Sequence, residues 1–130
     1  MEDLIDFIRS NMYIILAIIL GLAFAVSDAI GKRGSMDLEV KLTAFSNIEF
    51  IKQFLFNPWI IFWLVTALML KLTYSAVLSE VPLGTAQMFL LSSMVIGSFL
   101  IGLFFFKESA SLFKIIGFVM IIFGMILLLK

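Results

Sequence analysis

The residues able to do chemistry are few, and the sharpest is a lysine inside an apolar run. Lys71 falls 13 residues after Pro58 in a stretch that stays apolar to Leu78. In hydrocarbon a cation at that depth costs roughly 2.5–3.5 kcal/mol on insertion scales. Helical spacing puts Tyr74 and Ser75 on its face, so Lys71, Tyr74 and Ser75 form a polar stripe suited to line a cavity and meet an anionic group such as a phosphate. The other reading is snorkelling: seven residues, roughly 10 Å of helix, separate Lys71 from Leu78, and a long side chain covers much of that. Asp28 also has two readings. It is a proton or cation site near one mouth of the pathway, or a headgroup-level carboxylate beside Lys32 at i+4. Asp28 should not neutralise Lys71, which stands roughly 20 Å from the start of its own helix. Gln87, one turn past Pro82, and Ser93, four residues before Gly97, complete the candidates for a substrate path. Serines in such helices often bond back to their own carbonyls.

Composition says what must position these groups. Of 130 residues, 63% are hydrophobic, 15 are Phe and only 14% are charged, with nine basic side chains against nine acidic. A soluble domain is nearer half apolar and a quarter charged, so this is the composition of a membrane protein. At roughly 20 residues per crossing, about four helices fit and no separate soluble domain does. The absence of Cys and His removes disulfides, thiol nucleophiles and the usual proton shuttle and transition-metal ligands. No nucleophile–base pair stands out, so neither an enzyme nor a cofactor is expected. Zero net charge without a basic block argues against nucleic acid. The acidic start, Glu2, Asp3 and Asp6 against Arg9, is unlike a cleaved signal peptide and points to a retained first helix.

The expected fold is all-α, an integral membrane four-helix bundle with crossings near residues 11–30, 58–78, 82–106 and 112–129. Gly31-Lys32-Arg33-Gly34 should stop the first helix, and Asn57 followed by Pro58 should cap and open the second. Trp59 and Trp63 read as interfacial anchors. A brief turn before Pro82 makes the second and third crossings an antiparallel hairpin. Between crossings one and two, Ser46 and Glu49 fit a capping box, and residues 47–56 are either a short surface helix or an extension of the second crossing. Ala17, Gly21 and Ala25 repeat at four-residue spacing on the first helix, and Gly117 and Gly124 align on the last, as small residues do at close helix contacts. Lys32, Arg33, Lys41, Lys52, Lys107 and Lys114 fall on one side of the bilayer and only Arg9 and Lys130 on the other. The positive-inside bias then leaves both termini outside.

With Gly31-Lys32 ending the first helix, the strings Val81-Pro82-Leu83-Gly84-Thr85-Ala86 and Lys107-Glu108-Ser109-Ala110-Ser111, and the glycines Gly117 and Gly124, the chain resembles the drug/metabolite transporter superfamily. That group includes small multidrug resistance and EamA-like four-helix units. The resemblance spans most of the chain and is most specific from Asn57 onward, where Pro82 opens helix three, Glu108 follows it and the glycine pair marks helix four. Small multidrug exporters carry a glutamate in mid-helix one; here the stretch around Ala23 and Phe24 has no carboxylate, and Asp28 comes a turn later. They also line helices two and three with aromatic residues, where this chain has Tyr74 but otherwise Gln87 and serines. The pattern is closer to EamA-like units and to the paired small subunits that flip a lipid-linked sugar phosphate. The resemblance implies a small transporter or flippase of a bacterial or archaeal inner membrane, working by alternating access, with proton-coupled cation export or a non-transporting subunit as alternatives. It implies a homodimer or heterodimer of oppositely oriented units, with Gly117 and Gly124 at the contact, because four helices are a thin wall for a path. The six-to-two charge split favours one orientation, which stands in tension with an inverted homodimer: either an oppositely oriented partner exists, or the assembly is parallel, or the bias is overridden.

Overall fold

The computed structural model describes residues 2–40 and 42–128. Among these the chain is entirely helical: α1 (Glu2–Asp37), a 3₁₀ turn (Leu42–Ser46), α2 (Ile48–Phe56), α3 (Pro58–Glu80), α4 (Leu83–Phe104) and α5 (Leu112–Leu128). Three of these helices, Asn11–Asp37 within α1, α3 and α4, are long and apolar enough to cross a membrane, and α5 is a shorter apolar helix of 17 residues. This is the architecture of a helical membrane protein, in which each backbone N–H and C=O must be satisfied within its own helix. The outer surface is accordingly apolar, with Ile19, Phe62, Leu68, Met69, Val95 and Met120 all exposed.

The first helix does not stop near Ile30. It continues through the Gly31-Lys32-Arg33-Gly34 step to Asp37, because the two glycines there serve packing. A Cβ on Gly31 would meet the Trp63 ring at 2.7 Å, and one on Gly34 would meet Trp59 Cβ at 2.9 Å. The bare backbone thus lets α3 lie close along α1. The helix closes later: Val40 N–H donates to Ser35 O and Glu39 N–H to Met36 O, with Glu39 in the left-handed region at φ 47°. That is a Schellman closure with glutamate where glycine is usual.

α1 is the central helix. α3 runs antiparallel to it and α4 parallel to it, since Gly21 faces Leu90 and Ser93 while Ala25, one turn on, faces Gly97. The small-residue face of α1 is thus the α4 contact, and Ala17 and Ala25 are fully buried there. The antiparallel hairpin of α3 and α4 is opened by this arrangement: both arms pack on α1 and touch each other little. Among the described residues α5 packs on α4 alone, with the rings of Phe99 and Phe118 4.8 Å apart.

The segment before α3 forms a separate helix, α2, and is no extension of the second crossing. Asn57 has extended backbone and breaks the two, its side chain accepting from Trp59 N at 2.9 Å and Ile60 N at 3.3 Å, with Pro58 in the first turn. The expected Ser46–Glu49 capping box is replaced by Asn47, which accepts from Glu49 N at 2.9 Å. The Asn side chain reaches its own second-following N–H with less chain to order, which makes it the better cap here. Phe45 packs edge to face on Phe50 and Phe54 and folds the 3₁₀ turn onto α2.

Candidate functional site

Spacing on α1 places Phe24, Asp28 and Lys32 on one face at successive i+4 steps. Antiparallel α3 brings Tyr74, Lys71 and Trp63 past it in reverse order. The result is a column of polar contacts running the depth of the helices. At one end Tyr74, buried at 4% exposure, donates its hydroxyl to Gln87 Oε1 at 3.0 Å. Next, the Lys71 ammonium stands 5.6 Å from the centre of the buried Phe24 ring. One turn along α1, Asp28 Oδ1 accepts from the Trp63 indole N–H at 3.2 Å. Beside it Ser27, 2% exposed, and Thr66 share a hydrogen bond at 2.9 Å. At the other end Lys32 pairs with Glu108 and lies 4.3 Å from the Phe106 ring.

The column differs from the stripe expected on α3. Tyr74 turns into the core, whereas Lys71 and Ser75 are exposed on the outside of the helix. Ser75 donates to the Leu72 carbonyl of its own turn at 2.6 Å, so it is taken up by the backbone. Ser93 is likewise committed, donating to Phe89 O and Leu90 O while lying 2% exposed under Gly21. Gln87 and Tyr74 are joined, and Asp28 and Lys71 are not paired with each other. Asp28 bonds Trp63 in place of the expected Lys32, which reaches Glu108. Gly117 and Gly124 face open space: a Cβ added at either would meet nothing within 4 Å.

Trp63 reads from the sequence as an interfacial anchor. Its indole satisfies Asp28 instead, a role legible in the antiparallel arrangement: Asp28 near the end of one helix and Trp63 near the start of the next must lie level. Glu108 owes its place to Lys107, held at φ 51°. That left-handed residue folds the chain back so that Glu108 N–H donates to Gly102 O at 3.0 Å. The carboxylate then lies over Gly102, where a Cβ would come within 2.9 Å of Oε2.

A cavity of about 220 Å³ opens beside this end of the column, with Asp28, Lys32, Ser98, Gly102 and Glu108 on its walls. It holds two carboxylates and one ammonium. The Lys32 hydrogen bond, and then its charge, hold the Glu108 carboxyl below its ordinary value of 4.5. A depressed folded pKa means that the pair's stabilisation is fully present above the unfolded value and is lost as pH falls through the folded one. Both side chains are nearly half exposed, so the effect is modest and salt-sensitive. Glu108→Gln is expected to lower the unfolding midpoint in detergent at pH 7 and to match the parent well below pH 4.5. A difference that persists unchanged in acid would assign it to something other than the pair.

Among the described residues no group of three His, Cys, Asp or Glu is placed to hold a metal ion. Lys32, Arg33, Lys52, Lys107 and Lys114 lie on the segments at one end of the bundle, where α1 and α4 finish; Lys41 and Lys130 lie outside the described residues. Comparison with family models, with curated proteins and with solved structures finds no match.

Proposed function

We propose that the chain is a small membrane transporter or flippase subunit of the drug/metabolite transporter type, acting on compounds that carry an anionic group, with lipid-linked phosphates foremost. The observation behind this reading is Lys71. Its ammonium lies on the outside of a 23-residue apolar helix, against an aromatic ring. Among the described residues it has no carboxylate partner. A cation in hydrocarbon is costly, and an anionic headgroup brought alongside would offset that cost. A Phe24 face can hold the ammonium in place while it waits, through the negative face of the ring.

The four apolar helices, α5 included, cross the membrane in this reading, with the basic end cytoplasmic and both termini outside. Transport proceeds by alternating access in a dimer, with a second copy or a related four-helix subunit seated on the bare Gly117 and Gly124 face of α5. A second reading rests on Asp28, which lines the 220 Å³ cavity: proton-coupled export of cationic compounds. Purified protein in liposomes separates the two. Movement of a lipid-linked phosphate without need of a pH gradient supports the first. Cation uptake that requires the gradient and disappears in Asp28→Asn supports the second, and no movement of either class points to a non-transporting subunit.

A further inference from the structure

A larger cavity, about 600 Å³, opens on a different face of α1, bounded by the start of α3 and the end of α4. Its volume is in the range of small-molecule sites, roughly 300–1,000 Å³. Val26, Ile30 and Ile101 wall the part further from the helix ends, and Arg33, Asp37, Trp59 and Phe105 stand toward the ends of α1, α3 and α4. Ile30, Arg33 and Asp37 follow at i+3 and i+4, while Lys32 and the Asp28 column are turned away by roughly 100°. The cavity adjoins the 220 Å³ one across a shared wall of Ala29, Ile101 and Phe106, but its charged groups, Arg33 and Asp37, are its own.

Two features of its charged end specify a ligand. The Arg33 guanidinium lies 5.6 Å from the Trp59 ring centre. An aromatic face of this kind holds the guanidinium plane and leaves N–H edges for a bidentate phosphate. Asp37 is one turn further on, exposed, and among the described residues no ion pair joins it to Arg33 or to any other cation. A cation and an anion one turn apart, left unneutralised by each other, suit a ligand carrying both charges. The apolar depth suits a hydrocarbon chain, and the position beside Trp59, in the first turn of α3, is the level at which tryptophan meets headgroups.

We propose that this groove binds a zwitterionic phospholipid of the surrounding bilayer, with its phosphate on Arg33, its ammonium on Asp37 and an acyl chain along Val26 and Ile30. The assignment does not depend on the chain being a transporter. A purely anionic lipid would meet Arg33 but would set no cation against Asp37, so the site should distinguish the two.

The test is lipid retention by the full-length protein in detergent, followed by native mass spectrometry, with phosphatidylethanolamine and phosphatidylglycerol of matched acyl chains. The ethanolamine lipid should be retained preferentially. Arg33→Gln should weaken it about tenfold or more, the scale of one charge-assisted hydrogen bond, and Asp37→Asn should abolish the preference. Equal retention of the two lipids, or ethanolamine binding unchanged in Arg33→Gln, overturns the proposal. A second measurement leaves the groove residues intact. In Trp63→Phe protein Trp59 is the sole indole, and ethanolamine lipid with brominated chains should quench it more steeply than brominated glycerol lipid at equal low mole fraction. Superimposable quenching curves overturn it as well.

Discussion

Gly21→Ala is expected to destabilise the protein by about 2–3 kcal/mol, the upper range of overpacking a tight contact. The added methyl would stand 2.0 Å from Ser93 Oγ and 2.3 Å from the Leu90 carbonyl oxygen. A side chain can rotate away, but a helix carbonyl moves only with its helix, so α1 and α4 must separate. Their interface is the most extensive in the molecule, and Ala17, Ala25 and Gly97 would lose their close contacts together. Alanine has a helix propensity better than glycine's by about 1 kcal/mol, which the clash has to exceed. Gly117→Ala is the control: with nothing within 4 Å, it should leave folding of the single chain unchanged or slightly improved. Unfolding by denaturing detergent, followed by circular dichroism, measures both. In the dimer reading the same Gly117→Ala weakens association while leaving folding intact, which cross-linking would report.

Lys71→Leu is expected to separate stability from activity. Removing a cation from an apolar helix relieves a cost of roughly 2.5–3.5 kcal/mol where hydrocarbon surrounds it, so the variant should be at least as stable as the parent. Transport of an anionic substrate should fall about tenfold or more, the worth of a lost charge-assisted contact. Lys71→Arg keeps the charge and the ring contact and should retain most activity. A group held at a cost to stability and needed for function leaves this opposed pair of effects. If Lys71 merely snorkels, the same substitution would leave transport untouched.

Much of this arrangement is legible in the residues themselves. The apolar runs locate α3, α4 and α5, and Asn57-Pro58 marks the break before α3 because one side chain caps and the other tolerates a missing N–H. The four-residue rhythm of Ala17, Gly21 and Ala25 names a close contact, though only the fold shows that α4 fills it. Gly31 and Gly34 mislead, since a glycine reads alike whether it ends a helix or lets a tryptophan approach it. The polar groups are less legible. Lys71, Tyr74 and Ser75 are neighbours on a helical wheel, yet a modest rotation about the helix axis sends Tyr74 into the core and leaves Lys71 and Ser75 outside it. The Asp28–Trp63 and Lys32–Glu108 contacts depend on which helices meet and at what level, and a single helix's periodicity does not carry that information. Lys107 in the left-handed region is a further instance: the turn that brings Glu108 to Lys32 uses a residue with no preference for that conformation.

The most direct measurement compares two lipids that differ only in charge, a polyprenyl phosphate and the corresponding polyprenyl alcohol, in liposomes containing the purified protein. With an anionic group recognised by Lys71, the phosphate should cross between leaflets at least about tenfold faster than the alcohol in the presence of the protein, and Lys71→Leu should remove that advantage. Equal protein-dependent rates for the two lipids, or an advantage that survives in Lys71→Leu, would contradict the account.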